Sequence, residues 1–122
     1  MTEPIDPAIE RAIRDSYHAF NRRDIEAALA LMTEDVAWAN GWEGGYVHGH
    51  DEVRAYWQRQ WAAIDPHVEP RSITVNPAGR IDVEVDQTVR DVDGKLLASA
   101  TVHHRYTMRS GRVARFDLAP QH

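Results

Sequence analysis

Histidine is the side chain whose ordinary pKa lies nearest neutrality, so a search for proton chemistry begins with the seven histidines of this chain. His103 and His104 are adjacent within the run Ala98-Ser-Ala-Thr-Val-His-His-Arg-Tyr106. In an extended strand neighbours point to opposite faces, so one imidazole turns inward and the other outward. An inward imidazole can exchange a proton with a bound molecule, or merely satisfy a buried hydrogen bond. His48 and His50 flank Gly49, a pair that could begin a metal site but has no defined third ligand. Asp82, Glu84 and Asp86 alternate along a second extended run. The chain has no cysteine, which excludes disulfides, thiolate metal sites and cysteine nucleophiles. No glycine-rich phosphate loop, nucleophile elbow or zinc-protease signature is present, so neither a cofactor nor a metal is expected. Chemistry inside an enclosed pocket would have to run on His, Tyr and amide groups.

The elements that must position these residues follow from periodicity. Ile9, Ile13, Tyr17 and Phe20 recur at helical spacing, which predicts an amphipathic helix over residues 7–21 with Pro7 in its first turn. Asp24 is the expected N-cap of a short second helix carrying Ile25, Ala28, Leu29 and Met32. Residues 35–40 read as a strand, followed by the turn-rich Gly41-Trp-Glu-Gly-Gly45 and a brief extended piece over 46–48. A third helix starts near His50 and ends before Asp65-Pro66; its apolar stripe is Val53, Trp57, Trp61 and Ile64, with Tyr56 beside it. Four strands complete the chain, over 68–75, 81–92, 95–108 and 113–118. Hairpin turns at Asn76-Pro-Ala-Gly79, Asp93-Gly94 and Ser110-Gly111 separate them. Helices first and strands after predict an α+β fold, with helices packed on one face of a mostly antiparallel sheet.

A two-residue turn at Asp93-Gly94 puts Val92 opposite Lys95, and that register sorts the next two strands into faces. Val83, Val85, Gln87, Val89, Ala98, Ala100, Val102, His104 and Tyr106 share the inward face. Asp82, Glu84, Asp86, His103 and Arg105 share the outward one, with Asp82 opposite Arg105 and Glu84 opposite His103. A slip of one residue would exchange the two histidines, but it would also expose the valines.

With 122 residues and 43% hydrophobic content, the chain is expected to be one globular domain spanning 1–122. A net charge of −5 disfavours a nucleic acid partner, because phosphate neutralisation needs clustered Lys and Arg. The longest apolar run, Ala27 to Met32, is far too short for a membrane span, and the first residues lack the pattern of a signal peptide, so a cytoplasmic protein is expected. Four Trp and four Tyr against two Phe favour an apolar wall that also hydrogen-bonds, as in a ligand pocket.

Several segments, taken in order, resemble the SnoaL-like proteins of the NTF2-like superfamily, which includes the ketosteroid isomerases. They are Ala19-Phe-Asn-Arg-Arg-Asp24 with Ala28-Leu-Ala-Leu-Met32, Glu34-Asp-Val-Ala-Trp38, His48-Gly-His-Asp-Glu-Val-Arg-Ala-Tyr-Trp57 and Arg105-Tyr-Thr-Met-Arg-Ser-Gly-Arg-Val113. The resemblance implies a curled sheet wrapped around helices as a cone, enclosing a cavity. It also implies dimerisation through the outer sheet face, here an unusually charged one.

The fold hosts many activities, so single positions must decide. The isomerases use a carboxylate at the end of the first strand as base; Asn40 stands there, and an amide cannot accept a proton at neutral pH. Their first-helix tyrosine aligns with Ser16, with Tyr17 one residue on. Their later-strand acid aligns with His104, or with His103 if the gap slides by one. The resemblance therefore implies an apolar small molecule in an aromatic cavity and cofactor-free isomerase, cyclase or dehydratase chemistry. His104 would be the acid/base, with Tyr17 and Asn40 holding a carbonyl or oxyanion. Phe20, Trp38, Trp57, Trp61, Val85, Val102, Tyr106 and Phe116 would line the cavity, with Trp42 in a segment able to cover its mouth. The other reading is a non-enzymatic ligand-binding or dimerisation module, in which Asn40 serves a turn and the histidine a buried hydrogen bond.

Overall fold

The computed structural model describes residues 4–119. Helix α1 (Pro7–Asn21) starts where Asp6 accepts a hydrogen bond from the Ala8 N–H at 2.8 Å and Pro7 occupies the first helical position. The chain then reverses at Arg23, whose φ of 64° is left-handed. Asp24 caps the short α2 (Ile25–Leu29) through the Ala27 N–H. Met32, expected to close that helix, instead opens strand β1 (Met32–Ala39). Strand β2 (Tyr46–His48) leads into α3 (Gly49–Ala63), where Glu52 reaches back to accept from the His48 N–H at 2.8 Å. Gly49 bridges them with φ 78°, and a Cβ there would sit 3.4 Å from the Glu34 carbonyl oxygen.

The next strand begins earlier than its sequence suggests. β3 (Ile64–Val75) takes in Ile64, expected in the helix, together with Asp65-Pro66 and Pro70. The sheet order β2-β1-β6-β5-β4-β3 explains the tolerance: β3 is an edge strand, so a proline can turn its missing donor away from the ladder. The remaining strands are β4 (Ile81–Asp91), β5 (Leu96–Arg109) and β6 (Arg112–Ala119). All pairings are antiparallel except β1 with β6, which run parallel.

The β4–β5 hairpin corrects one expectation and preserves its consequence. Asp91 faces Lys95 across a three-residue loop, Val92-Asp93-Gly94, rather than Val92 facing Lys95. The Gly94 N–H donates to the Asp91 carbonyl at 3.0 Å, and Gly94 takes φ 93°, a type I turn closed by a left-handed glycine. The ladder thus starts one residue off. A bulge at Leu97, between the pairs Arg90–Leu96 and Val89–Ala98, returns the missing residue. Below it Val83 faces His104 and Asp82 faces Arg105, as the sequence register requires.

Ile81, Val83 and Val85 of β4, Tyr106 of β5 and Val113 and Phe116 of β6 are buried against Ile13 and Tyr17 of α1 and Val53 and Trp57 of α3. Helices therefore cover one face of the curved, unclosed sheet, an α+β cone. Beyond that cover, residues 96–101 are exposed on both faces, including Ala100, which the alternation places inward. Among the described residues no helix is long and apolar enough to cross a membrane.

Candidate functional site

Between the helices and the inner sheet face lies a cavity of about 510 Å³. Trp38 forms one wall, stacked on Phe116 at 4.1 Å between ring centroids, with Trp57 edge-on to it at 5.5 Å. Phe20 meets Trp57 edge-on at 5.4 Å, so α1 and α3 close the wall together. Val102 and Tyr106 contribute from β5. Among the described residues the lining contains no Asp, Glu, Lys or Arg.

The polar centre of this cavity is a pair of buried side chains from distant parts of the chain. His104 is 6% exposed, and its Nδ1 lies 2.7 Å from the Tyr17 hydroxyl. The two rings are parallel, with centroids 5.9 Å apart. Burial lowers the His104 pKa to about 4, with the neighbouring His103 adding to the effect, so the imidazole is neutral at pH 7. Burial likewise pushes the Tyr17 phenol well above its usual value, helped by the nearby Tyr106 hydroxyl. Tyr106 is raised too, by burial and against the smaller opposing effect of Tyr17. Both phenols therefore remain protonated and act as hydrogen-bond groups, not as bases.

Because Nδ1 is engaged by Tyr17, Nε2 is the imidazole atom without a protein partner among the described residues. If the Tyr17 hydroxyl donates to Nδ1, the ring proton sits on Nε2 and faces a ligand as a donor. If Nδ1–H donates to Tyr17, Nε2 is a bare acceptor. The pair can thus hold a carbonyl oxygen in one tautomer and accept a proton in the other.

The structure brings together Tyr17, Phe20, Trp38, Trp57, Val102, His104, Tyr106 and Phe116 around the cavity. It does not bring Asn40, Trp61 or Val85 there. Asn40 is buried, but its Oδ1 accepts from the Trp42 and Glu43 N–H groups at 3.1 and 2.6 Å, and its Nδ2 donates to Glu43 at 2.8 Å. Of the two roles the sequence allows Asn40, holding a ligand oxygen or serving a turn, these bonds are those of the turn. Trp61 packs behind the wall, stacked on Trp57 at 5.6 Å and covered by the Arg23 guanidinium at 4.9 Å. Val85 is fully buried in the hydrophobic core rather than at the cavity surface.

The outer face holds the remaining candidates. His103 lies 3.7 Å from Glu84, and Asp82 accepts from Arg105 at 2.7 Å. Asp86 pairs with Arg71 at 2.6 Å. These carboxylates point away from the cavity, and His103 with them. His50 is engaged with the Met32 carbonyl at 3.2 Å, while His48 is exposed. Tyr56, which the sequence places beside the tryptophan stripe of α3, also lines the cavity, and Gln60 of α3 and Leu118 of β6 are among the lining residues that the sequence argument does not name. Gln60 follows Tyr56 at i+4 on the same helix face, and that spacing is the signal in the sequence that points to it. Leu118 is legible only from its pairing with the inward His104.

The sequence profile of the SnoaL-like domain matches residues 13–116, and the chain belongs to that family. Solved structures agree on the NTF2-like fold. An NTF2-like protein of unknown function from Burkholderia pseudomallei is 30% identical, with a TM-score of 0.78 over 91% of this chain and 88% of that one. TerC, co-crystallised with polyporic acid, is 27% identical, with a TM-score of 0.78 over 89% of this chain and 88% of its own. RV0760c from Mycobacterium tuberculosis, in complex with estradiol-17beta-hemisuccinate, is 18% identical, with a TM-score of 0.76 over 91% and 92%, a likeness of fold alone. A comparison with curated proteins finds no match.

Proposed function

We propose that this protein binds an uncharged, largely apolar small molecule bearing a carbonyl or related oxygen, and carries out cofactor-free proton transfer on it, of isomerase, cyclase or dehydratase type. The observation that carries the reading is the neutral His104–Tyr17 pair, buried within an aromatic cavity that holds no charged side chain. A charged ligand there would lose its hydration without gaining a counter-ion, whereas a ketone needs one donor and an apolar wall. The co-crystallisation of TerC with polyporic acid supports a small-molecule ligand. In this reading Nε2 of His104 meets the ligand oxygen or the migrating proton, and Tyr17 fixes the ring through Nδ1.

A low basicity for His104 favours a second reading, in which the imidazole only hydrogen-bonds a ligand that leaves unchanged. One experiment separates the two. Cyclic ketones are titrated against tryptophan fluorescence, and the same mixtures are followed by NMR in D2O for exchange of the proton beside the carbonyl. Exchange by the natural protein that disappears in His104→Ala supports proton transfer. Saturable binding without exchange establishes the non-enzymatic reading, and no binding of any ketone overturns both.

The protein is also proposed to act as a homodimer through the outer sheet face. That face carries the ion pairs Asp82–Arg105 and Asp86–Arg71 rather than an apolar seam, so its association should weaken with salt. Light scattering at low and high salt tests this, and a monomer under both conditions refutes it.

A further inference from the structure

Two large apolar side chains that line the cavity are also well exposed: Trp42 at 40% and Leu118 at 52%. They form the rim of its mouth, since a residue that both lines a cavity and meets solvent lies where the two join. Gly41 brings them together, for a Cβ at that position would lie 3.2 Å from Leu118 Cδ1. An exposed indole on a loop is usually disordered surface, but this one is held. Asn40 Oδ1 ties the Trp42 and Glu43 N–H groups, and the Arg59 fork of α3 grips Glu43 through Nε at 3.1 Å and Nη2 at 2.7 Å. The backbone N–H groups of Gly41 and Trp42 also turn toward the Tyr56 hydroxyl oxygen, which accepts from them. Four residues thus fix the backbone that carries the Trp42 indole at the cavity's edge, with the ring left partly in water.

Resting on the proposed binding of an uncharged ligand, we infer that Trp42 is a specificity-determining residue: it covers the outer rings of a ligand too long to be swallowed whole, and Asn40 is its positioning residue. Such a ligand has its oxygen at His104 and an apolar body long enough to reach the mouth. Covering the indole removes apolar surface from water, and ring-on-ring contact adds to that. A two-ring ketone fills only part of the cavity and gains little from the rim.

The test compares 1-tetralone, with two fused rings, and estrone, with four. Trp61→Phe serves as background, so that Trp42 is the exposed indole beside Trp38 at 7% and Trp57 at 2%. Saturation with estrone is expected to shield the iodide-quenchable fluorescence, and 1-tetralone to leave most of it. Trp42→Ala should weaken estrone at least tenfold and 1-tetralone less than threefold. Asn40→Ala should raise iodide quenching in the free protein and show the same preference for harming estrone. Equal effects on the two ketones, or an indole still fully quenchable under saturating estrone, overturn the assignment. Failure of both ketones to bind the natural protein overturns the reading of the cavity instead.

Discussion

The Tyr17 hydroxyl lies 2.7 Å from Nδ1 of His104, joining the first helix to the fifth strand across 87 residues of chain. This contact orients the imidazole, consumes one of its nitrogens and leaves the other to the cavity. Tyr17→Phe should strand a buried nitrogen and destabilise the fold by about 1–3 kcal/mol. Urea unfolding at pH 7 measures it, and an unchanged midpoint would show that the bond contributes nothing net.

The depressed His104 pKa has a pH signature of definite sign. In the unfolded chain the imidazole titrates near its ordinary 6.5, and in the folded one at about 4. Between those values the unfolded state binds more protons, so stability is complete above pH 6.5 and falls as pH drops toward 4. The 2.5-unit difference gives a loss of about 2.5 kcal/mol between pH 7.5 and 4.5. His104→Asn should flatten that part of the urea-midpoint profile, and the His104 ring signals should not titrate between pH 5.5 and 8 by NMR.

Arg23 ties the end of α1 to the start of β3. It hydrogen-bonds the Phe20 carbonyl at 3.1 Å and the Pro66 carbonyl at 2.7 Å, pairs with Asp65, and covers Trp61. A planar fork and a flat stacking surface are both required, so Arg23→Lys should lose most of the stabilisation despite keeping the charge. A loss of about 2 kcal/mol is expected for Arg23→Ala and more than half of it for Arg23→Lys, read from thermal unfolding.

Leu97 is the extra residue of the β5 bulge and is 53% exposed. Deleting it should remove the bulge while keeping Val89 opposite Ala98, and hence His104 inward. Stability should change by less than ~1 kcal/mol, and the His104 ring should remain silent in the pH titration. An imidazole that titrates near 6.5 in the deletion variant would mean that the register had slipped.

The periodicity of the sequence determined the order of elements, the α+β class and the inward face of the long strands. A helical stripe at Ile9, Ile13, Tyr17 and Phe20 and an alternating run ending in His104 and Tyr106 are local patterns, written by which residues must leave water. Composition alone excluded cysteine chemistry, since the chain has no cysteine. Boundaries were less legible: Asp65-Pro66 reads as a break, and only its place on a sheet edge makes it strand. The hairpin turn was misread by one residue and the bulge corrected it, because the ladder below is set by burial rather than by the turn. The site itself needed the tertiary structure. No local pattern says that Tyr17, rather than Ser16, meets His104, or that Trp61 stands behind the wall that Trp57 forms. Those outcomes depend on distances between segments far apart in the chain, and such distances exist only once the helices have packed against the sheet.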